Sequence, residues 1–522
     1  MNRLVNTSRS WIEALSSLRH PQVVTMLFLG FSAGIPILLI FSSLSLWLRE
    51  AGVSRSAVTF FSWAALGYSF KFVWAPLVDR LPIPFLTKTL GRRRSWMLTA
   101  QIGIMASICL MAFTDPSRGS HQLTLMAISA VLLGFCSATQ DIVIDAYRIE
   151  SADSELQAMM ASTYIAGYRV AMIFAGAGAL YLADFFGSSK TIYNYTAWQW
   201  TYCIMSASML IGIVTTFIIS EPEINTENKA NHSTGNYLRF LLLFVLAVSG
   251  FILTFYFSAE IAAGIKNTLS GFLGNKYLAG FITEAMKLIS ASIVAYAIAR
   301  LSIIAGLVDS SVIQETYLDP IQDFFRRYGH SLAWLLLSLI GLYRISDIVL
   351  GIISNVFYQD LGFTKTEIAT VVKFFGVSMT IAGGFIGGIL SIRYSVIQIL
   401  FLGAVLSAAT NLLFMLIAIT GNNIYVLYLV ISADNLSAGI AGAAFVAFLS
   451  SLTDIKFTAM QYAIFSSLMT LIPKITGGYS GTIVDSLGYP TFFLITALFG
   501  VPVLVLIWLA GKHLLLKEKK QG

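Results

Sequence analysis

Two carboxylates stand four residues apart in the run Ser137-Ala138-Thr139-Gln140-Asp141-Ile142-Val143-Ile144-Asp145. On a helix that spacing puts both on one face, one turn apart. Other apolar runs carry Lys71, Arg169, Arg344, Asp347, Lys373, Asp434 and Lys474. A charge inside a membrane helix is expensive and normally faces a protein interior or a water-filled path. Such groups can neutralise one another as a structural ion-pair network, or release their partners when a proton or a charged solute arrives. They are spread over many segments and do not gather at one catalytic spot. That distribution suits a polar path through an apolar body.

The depth of each group follows from the helical rise of ~1.5 Å per residue. Asp145 falls within about a turn of one end of its segment, and Asp141 about two turns in. Lys71 approaches from the opposite side to a depth near that of Asp141. Arg169 falls near the midplane. Arg344 and Asp347, three apart, share a face of another segment. Asp434 lies near mid-depth with no basic residue in its own segment, which makes it a candidate proton carrier. Trp63, Tyr68, Trp74, Tyr164 and Tyr168 could cover sugar faces, although packing explains most such aromatics.

The composition requires lipid. Of 522 residues 57% are hydrophobic and only 11% charged, with a mean hydropathy of +0.78. A soluble chain carries about 25% charged residues. Most of the basic residues behind the net charge of +7 lie in segments between apolar runs, so nucleic acid is not an expected partner. The bilayer is. Cys109, Cys136 and Cys203 lie inside apolar runs without CxxC spacing, so neither a disulfide nor a metal site is expected. No nucleotide-binding loop is present, which leaves an ion gradient as the driving force and no cofactor.

Spans are expected near 23–47, 57–79, 96–113, 122–147, 157–185 and 197–219, then near 238–260 and 279–299, and finally near 331–356, 366–390, 396–418, 424–450, 457–484 and 490–511. The grouping is six, two and six. It divides the chain into an N-terminal bundle (1–220), a middle region (221–330) and a C-terminal bundle (331–522). Met1 to His20 reads as a retained leader, since the apolar run that follows has no small-residue cleavage site. Within the middle region, 261–278 is expected as a re-entrant or interfacial hairpin, and 300–330 as an amphipathic surface helix. Lys and Arg divide roughly three to one between the two sides, which places both termini in the cytoplasm.

The halves repeat. Ala158-Met159 opens one span that ends at Asp184 and Gly187, and the same separations recur in Ala459-Met460, Asp485 and Gly488. Parallel six-helix repeats are how major-facilitator transporters are built. The loop after the second span adds Asp79-Arg80 and Gly91-Arg92-Arg93-Arg94, an acidic-basic-glycine cluster of the kind that latches helix ends in that superfamily. Here it is split by the insertion Leu81–Leu90. Asp79, Arg80, Arg92 and Arg93 are therefore expected to gate.

The stretches LFLGFSAGIPILL, FFSWAALGYSFKFVWAPLVDR, GRRRSW, FCSATQDIVIDAYR, AGYRVAM and GIAGAAFVAFLSSL resemble the AmpG-type anhydromuropeptide permeases of Gram-negative inner membranes. The resemblance runs over nearly the whole chain and is looser in the second half. It implies an all-α major-facilitator fold and a monomeric proton symporter, not an enzyme. The implied cargo is GlcNAc–anhydroMurNAc and its peptide derivatives, imported for peptidoglycan recycling. It also places transport roles on Gly30, Gly34, Ala138, Gln140, Asp141 and Asp145. A related acetyl-CoA transporter family shares parts of these motifs, so another anionic metabolite is the alternative cargo. The competing class is a membrane-embedded lipid- or glycan-modifying enzyme. On the expected cargo Lys71, Arg169, Arg344 and Lys373 would meet carboxylates.

Overall fold

The computed structural model describes residues 17–53, 68, 71–153, 156–188, 193–222, 234–274, 276–308, 311, 314–363, 367–477 and 480–521. It is helical throughout its ordered elements. The first span is α1 (Pro21–Ile40) and α2 (Ser42–Glu50), interrupted at Phe41 beyond Pro36. The second ends in a 3-10 turn at Lys71–Val73 and α3 (Ala75–Arg80). α4 (Leu86–Leu90) lies in the connection to α5 (Arg92–Ala112). α6 (Ser120–Ser151) and α7 (Gln157–Ile173) follow, and α7 runs through a π-turn at Phe174–Gly178 into α8 (Ala179–Phe185). α9 (Tyr195–Ser208) and α10 (Leu210–Ile218) close the half.

The middle region holds α11 (Thr234–Phe257), α12 (Ala259–Leu273) and α13 (Lys276–Ile304). A π-turn at Gln314–Leu318 then leads into α14 (Asp319–Tyr328). The second half begins with α15 (His330–Leu342) and α16 (Ile345–Asp360). A π-turn at Ile368–Phe375 leads into α17 (Gly376–Arg393), and α18 (Val396–Thr420), α19 (Ile424–Leu452) and α20 (Thr458–Gly477) follow. The chain ends with α21 (Ser480–Leu498) and α22 (Gly500–Gln521).

Helix starts obey local chemistry. Asn194 and Asn423 accept backbone N–H bonds at the starts of α9 and α19, and Ser395 with Gln398 forms a reciprocal capping box on α18. Among the described residues, 12 helical runs are long and apolar enough to cross a membrane. They account for every expected span except two. The run 57–79 lies largely outside the described residues, Trp63 with it. The run 279–299 is helical within α13, whose apolar part is Ile289–Ile304. The side chains of Glu284 and Lys474 also lie outside the described residues.

The chain divides into two compact units, residues 1–225 with 324–522, and residues 226–323. In the smaller unit the expected hairpin over 261–278 is replaced by one helix, α12, which ends at Gly274 in the left-handed region (φ 61°). Gly264 and Gly271 are carried inside it by neighbouring Ala, Ile and Leu residues that favour helix. α14, at the end of the expected amphipathic segment, buries Phe324 and Tyr328.

Within the larger unit the closest helix packing rests on missing side chains. A Cβ on Gly30 or Gly34 would collide with the backbone carbonyls of Tyr164 and Tyr168, and one on Gly167 with that of Leu27. The same device recurs in the second half, where Gly383 meets the Leu436 carbonyl and Gly439 that of Thr380. Small residues let helices in lipid approach until their backbones touch. Gly30→Ala is therefore expected to destabilise the detergent-solubilised protein by about 1–3 kcal/mol through overpacking. Gly264→Ala, which meets no atom within 4 Å, should leave the melting temperature unchanged. Equal melting temperatures for the two variants would count against this packing argument.

Candidate transport path

One end of the larger unit gathers Arg80, the Arg92–Arg94 triplet, the end of α6 and the starts of α7 and α20. This basic face is tied by one ion-pair cluster. Arg93, 1% exposed, donates to Asp79 at 2.8 Å and to both carboxylate oxygens of Glu150. Arg92 donates to the Asp79 carbonyl at 2.7 Å. Glu221 accepts the backbone N–H groups of Arg93 and Arg94 at 2.7 and 3.0 Å, capping α5 where Gly91 turns with φ 88°.

Asp79 also reaches the other half. Its carboxylate accepts the backbone N–H groups of Ala459 and Met460 at 3.2 and 2.9 Å, at the start of α20. A carboxylate there satisfies unpaired donors and complements the helix dipole. Two further links join the halves nearby. Arg148 donates to Ser450 at 2.8 Å and lies 5.2 Å from the Tyr462 ring centroid. Ser162 donates to the Gly384 carbonyl at 2.6 Å. The described hydrogen bonds between the halves thus cluster toward the basic face.

Deeper in the first half, Lys71 lies 3.6 Å from Asp145, which Arg148 approaches at 3.4 Å from the other side. The expected depth match of Lys71 with Asp141 thus becomes, in contact terms, a pairing one turn away. Asp141 instead accepts from the Tyr164 hydroxyl at 3.3 Å, with Lys71 as an electrostatic neighbour. Two cations face two carboxylates here.

Arg169 stands seven residues beyond Ser162 on α7, about 10 Å deeper. Its polar contact is the Met172 sulfur at 3.8 Å, and among the described residues no carboxylate lies within ion-pair distance. Across the interface Arg344 is an electrostatic neighbour. Arg344 donates to Asp347 at 3.1 Å, and Asp347 accepts from Ser407. Asp434 accepts from Thr410 at 3.3 Å. Among the described residues no group of three His, Cys, Asp or Glu side chains is arranged to hold a metal.

Comparison with known proteins can now be set beside this geometry. The Major Facilitator Superfamily pattern matches residues 80–308 and 335–521. The chain belongs to the Major Facilitator Superfamily. The anhydromuropeptide permease of Escherichia coli K12 is 28% identical over 494 residues, 94% of this chain and 80% of that one. AmpG 4 of Rickettsia conorii is 28% identical over 479 residues, 92% and 94% of the two chains. The fold is similar to that of the E. coli fucose:proton symporter FucP (TM-score 0.56, 12% identity, 96% and 99% coverage). It is similar too to that of the proton:xylose symporter XylE (TM-score 0.54, 12% identity, 96% of both chains). This is a multi-pass, secondary-active transporter.

As a major-facilitator protein it must expose a central site to each side in turn, and the basic-face cluster ties the two halves together at one end. Of the expected gating residues, Asp79, Arg92 and Arg93 form that cluster, joined by Glu150 and Glu221, which sequence reasoning missed. The only sequence signal was their position beside span ends. Arg80 follows Asp79 at the end of α3. Of the expected path residues, Gln140 is wholly buried and donates to Ser32 at 2.9 Å, while Thr216 donates to the neighbouring Gln101 at 2.8 Å. Ala138 is wholly buried as well, and Gly30 and Gly34 serve the packing described above. Lys373 is exposed on the π-turn before α17. Trp74 donates to Thr139 at 3.0 Å and packs on Phe135, and Tyr68 donates to Ser137.

Removing one member of a buried, hydrogen-bonded ion pair costs about 3–5 kcal/mol. Asp79→Asn should therefore open the basic face. In a background with Cys109, Cys136 and Cys203 replaced by serine, maleimide labelling of Ser162→Cys, a position 2% exposed here, should rise by roughly two orders of magnitude. Unchanged labelling would show that this cluster does not hold the gate.

Proposed function

We propose that this transporter imports anhydromuropeptides, GlcNAc–anhydroMurNAc with or without its stem peptide, across the bacterial inner membrane by proton symport. The observation that carries the cargo class is the similarity, over 94% of this chain, to the E. coli anhydromuropeptide permease. The proton gradient is supported by the buried carboxylates of both halves. Both termini are cytoplasmic on this reading, because the basic face follows the positive-inside rule. The closed gate then faces the cytoplasm, and the carrier acts as a monomer.

The geometry supports an anionic, sugar-bearing cargo. Arg169 is a guanidinium near mid-depth without an acidic partner among the described residues, and leaving such a charge unpaired is costly. A carboxylate of the stem peptide would supply the partner, through bidentate hydrogen bonds that a guanidinium is shaped to give. Tyr164 and Tyr168, with ring centroids 6.1 Å apart, precede this position on α7 and could cover a sugar face. Lys71 and Arg344 are already engaged, with Asp145 and Asp347, and Lys373 is exposed, so Arg169 is the primary cargo contact, with Arg344 its electrostatic neighbour.

The test is uptake of labelled GlcNAc–anhydroMurNAc tripeptide into proteoliposomes, with and without an inwardly directed proton gradient. Accumulation above equilibrium only with the gradient is expected. Equilibration indifferent to the gradient would remove proton coupling. No uptake by folded protein would remove the cargo, and acetyl-CoA would be tested next. Loss of a charged hydrogen bond to the solute costs about 1.5–3 kcal/mol. Arg169→Gln is thus expected to raise KM for the tripeptide by about tenfold or more, with less effect on the peptide-free disaccharide. An equal effect on both would place Arg169 away from the stem peptide.

A further inference from the structure

The second half contains a polar chain that crosses three helices. Arg344, just before α16, donates to Asp347 at 3.1 Å. Asp347 accepts from the Ser407 hydroxyl on α18. One turn along α18, the Thr410 hydroxyl lies 3.0 Å from the Ser407 carbonyl and 3.3 Å from the Asp434 carboxylate on α19. A void of about 10 Å³ lies against Asp347 and Ser407, lined also by Tyr343 and Ser346. That is the space of a single water with polar partners to hold it.

Two features of this chain point the same way. The first is charge. In the first half Lys71 and Arg148 balance Asp141 and Asp145. Among the described residues of the second half Arg344 is the cation that faces Asp347 and Asp434, so these three carry one excess negative charge when both carboxyls are ionised, and none when they hold one proton. The second is the lack of a cation in contact. Among the described residues no Lys or Arg lies within ion-pair distance of Asp434, whose hydrogen-bond partner is the Thr410 hydroxyl at 3.3 Å. Thr410 can give its one proton to an ionised Asp434, or accept from a protonated Asp434 and give its own to the Ser407 carbonyl.

We propose that Asp434 is a proton-carrying site of the second half, with the Thr410 hydroxyl as its hydrogen-bond partner and the Arg344–Asp347 pair as its electrostatic neighbour. This rests on the proton-symport reading and adds the carrier group to it. A proton arriving from water bonds to an Asp434 carboxylate oxygen, and on release it returns to water. The charged and titratable groups toward Asp434 are Asp347, Arg344 and Tyr358 from the seventh core span. From α7 the charged group is Arg169, which rests on Met172 and faces Arg344. Lys373, from the π-turn before α17, is exposed. On α18 the neighbour is the neutral Thr410.

The decisive measurement is infrared difference spectroscopy of the full-length protein during a pH titration, beside proteoliposome uptake. A protonated-carboxyl band present in the wild type and absent in Asp434→Asn is expected. Uptake by Asp434→Asn should lose its response to pH and its accumulation above equilibrium. Thr410→Val should weaken accumulation and shift the band, and Thr410→Ser should restore both. An unchanged band in Asp434→Asn, or gradient-driven accumulation with the wild-type pH profile, would overturn the proposal. If the wild type accumulates no tripeptide under any gradient, the symport reading fails, while the band still decides whether Asp434 takes the proton. A variant that misfolds is replaced in the comparison by the Thr410 pair, whose volume change is small.

Discussion

Every charge placed in lipid has to be neutralised by something, and this molecule uses three different partners. At the basic face the partner is another side chain or a helix end. Arg93 lies between Asp79 and Glu150, and Asp79 turns its remaining capacity to the α20 backbone. Around Asp145 the partners are two cations of the same half. At Arg169 the described residues supply none, and on the proposed reading the partner is the cargo. That gradation, from fully paired at the gate to unpaired at the centre, orders the rest of the structure.

The gate shows why pairing must be good but replaceable. Asp79 links the halves through two backbone N–H groups, not through a side chain of the second half. Such a contact needs only that the start of α20 be present. It is broken by a rigid-body movement of one half against the other, without repacking either core. The glycine contacts within each half do the opposite work. Gly30 against Tyr164 and Gly383 against Leu436 bring backbones together over long stretches, so each half moves as a body. Rigid halves with a polar, breakable seam are what alternating exposure requires.

Much of this was legible in the sequence. Hydropathy runs located the spans, and the split acidic-basic-glycine cluster pointed to Asp79, Arg92 and Arg93, which the fold brings together. What periodicity could not supply was the identity of partners. Glu150 and Glu221 stand at span ends, where a carboxylate usually means nothing more than solvent, and only folding brings them to Arg93. Lys71 and Asp141 matched in estimated depth, yet a turn of helix and the reach of a lysine decide for Asp145. Thr410 and Ser407 were invisible because a hydroxyl inside an apolar run normally bonds its own helix, as Thr410 does to Ser407. Gln140, singled out by motif resemblance, proves to serve a buried amide and hydroxyl cluster with Ser32, Gln101 and Thr216 inside one half.

The central arginines connect occupancy to movement. Arg169 belongs to the first half and Arg344 to the second, and they are electrostatic neighbours of like sign. Bringing the halves together around an empty centre presses two guanidiniums toward each other in a medium that screens poorly. An anionic group between them turns that repulsion into two attractions. A ligand moves a conformational equilibrium only by the difference in its affinity for the two states, and a two-sided contact of this kind is such a difference. Protonation in the second half acts on the same arginine from behind. With Asp434 neutral, Arg344 has a single carboxylate to satisfy, and Asp347 already holds one edge of its guanidinium. On the proposed reading the cargo and the proton act on the same side chain, which is the physical requirement for moving them together.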